Sequence, residues 1–290
     1  MNALVGYSID DNNFILSPER VLYWEDRKTL ILADLHAGKT GHFRKSGIAI
    51  PQKVFREDLQ RLLTQVLFFK AEQLIIVGDF SHSKSNQELD LFVRWRHDFS
   101  SLRIFLVKGN HDILQDKWYE EAEIGISNEE LGIGNFLFRH DLKKTAISNR
   151  QQAIGKRQQA PDSYRDGNWQ EAIGNRLQAT GNKQQPTGKK QSSGSIQQSV
   201  IPPKGVSQGA LRCLRTNPEP ETRYTFSGHI HPGISIHGLA KQSLHFPCFY
   251  FTDNYCVLPA FSRFTGTHGI DPKKGENIFA IVENQILQVQ

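Results

Sequence analysis

Apolar residues arrive along this chain in two rhythms. Unbroken apolar runs open "TLILAD" (29–34), "LIIVGD" (74–79), "RIFLVKGNHD" (103–112), "NFLFRHD" (135–141) and "YTFSGHIHPG" (224–233). Runs of that length and continuity predict strands covered on both faces. Between them the spacing changes: from Pro51 onward, Val54, Phe55, Leu59, Leu62, Leu63, Val66 and Leu67 fall on one helical face. A second helix is expected over about Gln87 to Phe99. "FILSPERVLYW" (14–24) adds early strand character, and "LHFPCFYFTDNYCVLPAF" (244–261) predicts a hairpin turning at Asp253-Asn254. The alternation predicts an α/β domain whose second half is mostly strand.

The apolar runs share a second property. They stop at Asp34-Leu35-His36, Gly78-Asp79, Gly109-Asn110-His111-Asp112, His140 and Gly228-His229-Ile230-His231. Ligands of open α/β sheets sit beyond the carboxyl ends of the strands, so residues distant in sequence are expected to meet there. Alternate residues of an extended chain face one side, so Asp34 with His36, and His229 with His231, can each aim at one centre.

The residue types narrow the chemistry. Asp34, His36, Asp79, Asn110, His140, His229 and His231 offer oxygen and imidazole donors and no thiolate. That mixture carries too much nitrogen for magnesium or calcium and points to manganese, iron, nickel or zinc. So many donors suit two divalent ions sharing a carboxylate better than one ion. Cys213, Cys248 and Cys256 are sparse, odd in number and without a CxxC pair. They argue for a reducing, cytoplasmic setting and against a disulfide framework.

Charge changes the picture in one place. The formal net charge is +5, yet residues 141–223 hold 14 Lys+Arg against 6 Asp+Glu, while the rest holds 21 against 24. This basic segment is rich in Gln, Asn, Gly and Ser and lacks a sustained period, so a disordered insertion is expected over about 143–222. "NRQQAIGKRQQA" (149–160) and "NWQEAIGNRLQA" (168–179) repeat one another loosely. Either the segment is a tolerated surface loop, or it is a basic tether that speeds encounter with a polyanion. No apolar stretch is long enough to span a membrane, and the N-terminus does not read as a secretory signal, so a soluble protein is expected.

Taken in order, DxH, GD, GNHD, a single His and GHxH resemble the signature of the calcineurin-like metallophosphoesterases. "LYWEDRKTLILADLHAGKTGHFRKSGIAIP" (22–51), "GDFSHS" (78–83) and "VLPAFSRFTGTH" (257–268) look like the ligase-associated DNA damage response endonucleases of the PdeM type within that superfamily. The insertion departs from their pattern. The resemblance implies a single four-layer α/β/β/α sandwich. It also implies two divalent ions, manganese first among the options, with Asp34, His36 and His231 on one, Asn110, His140 and His229 on the other, and Asp79 bridging. By the same resemblance a metal-bridging hydroxide attacks a phosphodiester in line. DNA is then the substrate, with a DNA ligase and helicase system as associates.

His111 is not spent on metal and is the candidate acid or cation for the leaving group, with Asp112 orienting the turn or the imidazole. Lys39, Arg44, His82 and Arg263 are candidate substrate contacts. Two other readings compete with the nuclease. One is a phosphatase or pyrophosphatase acting on a small nucleotide-like substrate; the other is a non-catalytic scaffold in a repair complex.

Overall fold

The computed structural model describes residues 4–39, 53–82, 87–142, 223–237 and 243–290. Its first sheet runs in spatial order β1 (Val5–Ile9), β2 (Asn12–Ser17), β3 (Val21–Trp24), β4 (Thr29–Leu32), β5 (Gln73–Val77), β6 (Arg103–Val107) and β7 (Ile124–Ser127). Strands β1 to β4 form an antiparallel meander, and β4 to β7 are parallel. The helices are α1 (Lys53–Phe69), α2 (Gln87–Asp98) and α3 (Asp116–Glu121). These three all pack on the first sheet.

The second sheet holds β8 (Glu130–Ile133), β9 (Phe136–Arg139), β10 (Tyr224–Ser227), β11 (Pro232–His237), β12 (Ser243–Phe251), β13 (Tyr255–Val257), β14 (His268–Gly269), β15 (Asn277–Val282) and β16 (Gln285–Gln288). Its path is β14-β11-β12-β13-β10-β9-β8, with β15 joined to β12 and β16 to β15. Strand β10 is parallel to both β9 and β13. The α/β fold with two packed sheets is the one the sequence predicts.

The pleat explains why the central strands must be apolar throughout. Ile31, Ile75, Val77, Phe105 and Val107 point into the layer between the sheets, against Phe136, Phe138, Phe226, Phe249 and Phe251. Their neighbours Leu30, Leu32, Leu74, Ile76, Ile104 and Leu106 point the other way, onto Phe55, Leu59, Leu62, Phe92 and Tyr119 of the helical layer. Burying each such side chain contributes about 1.5–3 kcal/mol, so a polar residue on either face would be costly. Polar side chains therefore wait until the strand ends, and there they collect.

Two details differ from the expectation. "FILSPERVLYW" is broken by a turn in which the Arg20 amide donates to Ser17 O at 3.0 Å and Arg20 takes φ 65°. Strands β1, β7 and β8, helix α3 and the β15–β16 hairpin were not announced by the pattern. Asp253-Asn254 does lie in the turn joining β12 to β13. The insertion over 143–222, its internal repeat and Cys213 lie outside the described residues. Cys248 and Cys256 are free and buried. No helix among the described residues is long and apolar enough to cross a membrane.

Candidate metal centre

The five polar endings meet at one rim. Beyond β4 and β5 the chain stays zipped in parallel: Asp34 N–H donates to Gly78 O, His36 N–H to Asp79 O and Ala37 N–H to Phe80 O, at 3.2, 2.9 and 2.8 Å. This brings the DxH and GD segments side by side. At β9, Ser227 Oγ donates to His140 O at 2.8 Å, which fastens that ending to β10.

Two glycines make the approach possible. Gly78 takes φ 81°, and a Cβ there would fall inside the His140 ring. Gly109 backs onto Asp79, and a Cβ would collide with its carboxylate. Asp34, His36, Asp79, His229 and His231 all sit in the left-handed region, with φ between 45° and 66°. Side chains rarely adopt that conformation unless the surroundings hold them there, and such residues concentrate at functional sites.

The donors sort into two groups. Ligand atoms of Asp34, His36 and His231 lie within 4.8 Å of one another, and so do those of Asp79, His140 and His229. His231 Nε2 is 3.4 Å from Asp34 Oδ1. His140 Nε2 is 3.4 Å from Asp79 Oδ2, 3.1 Å from Asn110 Oδ1 and 3.1 Å from His229 Nδ1. The groups adjoin: the His229 amide donates to Asp34 Oδ2 at 3.2 Å, and His140 Nδ1 lies 3.9 Å from Asp34 Oδ1. All seven sequence-predicted metal ligands are therefore gathered here.

The electrostatics fit a cation. Asp34 Oδ1, both ring nitrogens of His36 and Nε2 of His231 are buried without a hydrogen-bond partner. Leaving such atoms unsatisfied costs about 1–3 kcal/mol each. Burial pushes the His36 imidazole down to about 2, with Lys39 adding to the effect and Asp79 opposing it, so it is a neutral donor. Burial also lowers His229, helped by His140. His140 moves the other way: burial opposes its charge, but Asp79 and Asp34 raise it to about 9. Burial tends to raise the Asp79 pKa, and His140 and His111 outweigh it, holding the carboxyl below its usual range. The buried carboxyl groups of Asp34 and Asp79 favour a proton on His140, a positive charge that a bound cation would replace.

The remaining predicted residues are distributed as follows. The His111 amide donates to Asp79 Oδ1 at 3.0 Å, while its ring is exposed with Nε2 4.0 Å from Asp79 Oδ2. Asp112 is buried and accepts from the amides of Gly109, Ser81 and Phe80 at 2.8, 2.8 and 3.3 Å, tying two of the endings together. The His82 ring is 4.4 Å from that of His111 and 5.9 Å from that of His36, centroid to centroid. Lys39 is half-buried, donates to Thr265 Oγ1 at 3.3 Å and feels the charges of Asp34 and Asp79. Arg263 pairs with Glu19 at 3.1 Å. Arg44 lies outside the described residues.

Sequence reasoning missed the supports of this rim. Glu88 of α2 accepts the Gly38 amide at 2.6 Å, and Arg61 of α1 reaches Phe261 O. A signal existed for the second: Asp58, Arg61 and Gln65 are polar residues inside the apolar stripe of α1, and all are buried.

Fold and centre together define a class, the metal-dependent hydrolases of phosphoric esters. The chain belongs to the calcineurin-like phosphoesterase family, whose model matches residues 27–233, more than half its length. Among solved structures it is similar to the crystal structure of Pseudomonas putida nuclease MPE, at 20% identity and a TM-score of 0.63 over 99% of this chain and 100% of that one. No curated protein matches it in sequence.

Proposed function

We propose that the protein is a nuclease of this family that hydrolyses phosphodiester bonds in DNA. The observation that carries the proposal is the pair of carboxylate–imidazole groups adjoining on one rim, with His111 exposed beside them. The nuclease title of the similar Pseudomonas putida structure supports the substrate class, as does the excess of basic residues over 141–223, which favours a polyanion.

In this reading Asp34, His36 and His231 hold one divalent ion, manganese by preference. Asp79, Asn110, His140 and His229 hold a second, and Asp79, whose charge His36 also feels, is the shared carboxylate. The chemistry supplied there is Lewis acidity, which offsets the phosphate's charge and lowers the pKa of water. The protein's own side chains do the rest. His111 acts as the proton donor to the departing oxygen, Lys39 offers its ammonium to a phosphate oxygen, and Asp112 is a positioning residue that acts through the backbone it gathers. Free buried thiols at Cys248 and Cys256 support work in a reducing cytoplasm.

One assay panel with manganese tests this: a nitrophenyl monoester, a bis-nitrophenyl diester and supercoiled plasmid. Turnover of the diester and nicking of the plasmid are expected. Hydrolysis of the monoester alone would make the protein a small-ester phosphatase.

A further inference from the structure

The two ligand groups are not braced alike. Residues 260–270, which follow β13, begin beside Asp34: Ala260 forms a parallel bridge with Ala33, the Phe261 amide donates to Ala33 O at 2.8 Å, and the Ser262 amide donates to Asp34 O at 3.2 Å. They end beside His231, where the His268 amide donates to His231 O at 2.8 Å and the Ile270 amide to Gly233 O at 2.9 Å. Midway, Thr265 Oγ1 accepts from Lys39 at 3.3 Å, and the Lys39 amide donates to His36 O at 3.1 Å. One segment thus touches, directly or through Lys39, all three of Asp34, His36 and His231. Among the described residues no hydrogen bond from it reaches Asp79, Asn110, His140 or His229.

The segment is itself fastened from outside the centre. A single guanidinium nitrogen of Arg20 donates to Ala260 O and Ser262 O at 3.2 and 3.1 Å, the two carbonyls that flank Phe261. Arg20 stands in the turn between β2 and β3, whose hydrogen bond to Ser17 O fixes its main chain. Asp34 needs such support, because it takes φ 57° and its peptide is held between Gly78 O and the Ser262 amide. A ligand already held in place loses less freedom when an ion binds, which raises affinity.

We propose that Arg20 is a positioning residue for the ion site of Asp34, His36 and His231. By fixing residues 260–262 it sets the affinity of that site and leaves the site of Asp79, Asn110, His140 and His229 unchanged. The proposal rests on the two-ion reading above.

The test titrates manganese by calorimetry into chelator-treated wild type and Arg20→Met, a side chain of similar reach without donors. Wild type should bind two ions. The variant should bind one as before and the other about 10-fold more weakly, the low end of losses when groups that orient metal ligands are removed. Two backgrounds assign the loss: Arg20→Met should change nothing in His231→Ala and should weaken the remaining ion in His229→Ala. Arg20→Lys, a milder change titrated beside them in case Arg20→Met does not fold, should lose less at the same ion. Equal weakening of both ions, or unchanged affinities with lower stability in urea, would overturn the role of Arg20 and leave the two-ion centre standing. Wild type that binds fewer than two ions would overturn the centre, and the role of Arg20 with it.

Discussion

His140 Nε2 lies 3.1 Å from His229 Nδ1 and, at the same time, 3.4 Å from Asp79 Oδ2. Asn110 Oδ1 is a further acceptor, 3.1 Å from that nitrogen. Acceptor atoms thus converge on that nitrogen, and a cation among them would take over the role of the proton that Asp79 and Asp34 favour on His140. Metal should therefore stabilise the fold itself. Returning manganese to chelator-treated protein is expected to raise the melting temperature, by the equivalent of about 2.7 kcal/mol at a free concentration 100 times the Kd. Thermal scans with and without chelator check this, and superimposable scans would count against a cation site.

Asp79 contributes charge to both ligand groups and adopts φ 45°, a conformation that asparagine tolerates. Asp79→Asn should consequently fold yet lose activity by more than about 100-fold, the upper end of losses from outer partners of metal ligands. Metal content by mass spectrometry should fall with it. A variant with full metal and full turnover would remove Asp79 from the centre.

His111 is an exposed imidazole of the rim, held to Asp79 through its backbone amide rather than through the ring. Its replacement by alanine should keep metal content and slow hydrolysis of alkyl-leaving-group diesters by about 100-fold or more. Nitrophenyl diesters, whose leaving group needs no proton, should lose much less. Equal losses on both would argue against proton donation.

Arg61 is buried in α1, 3.0 Å from Asp58, with its guanidinium 4.1 Å from the centre of the Phe261 ring. Arg61→Ala removes the ion-pair partner of the buried Asp58, leaving it the Ser262 and Arg263 hydrogen bonds, and should cost about 3 kcal/mol in urea unfolding. The double variant Asp58→Leu with Arg61→Met should recover much of that loss, because it removes both charges and retains packing volume. A double variant no more stable than Arg61→Ala would show that the cost comes from the lost grip on Phe261 O.

The central strands and the convergence of the polar endings were legible because one physical constraint governs both. Strands such as "LIIV" are covered on two faces and so read as unbroken apolar runs, and the polar residue that ends each run, such as Asp79 or His140, stands out sharply. What escaped notice depends on partners remote in sequence or on weak patterns. Strand β1, "VGYSI", alternates exposed and half-buried residues through Gly6 and Ser8 and carries little apolar signal. The hairpin β15–β16 gains its place by pairing with β12. Arg61 meets a carbonyl 200 residues away, and no local window contains that contact. The buried trio Asp58, Arg61 and Gln65 shows how such a contact can be suspected, though not where it ends.

The left-handed turns at Asp34, His36, Asp79, His229 and His231 bear on how the centre is loaded. At roughly 1–2 kcal/mol apiece for an ordinary side chain, five such residues set aside on the order of 5–10 kcal/mol of the free energy of folding. That expense is incurred when the chain folds, before any ion arrives. An incoming cation would then meet ligand residues whose backbone turns are already made.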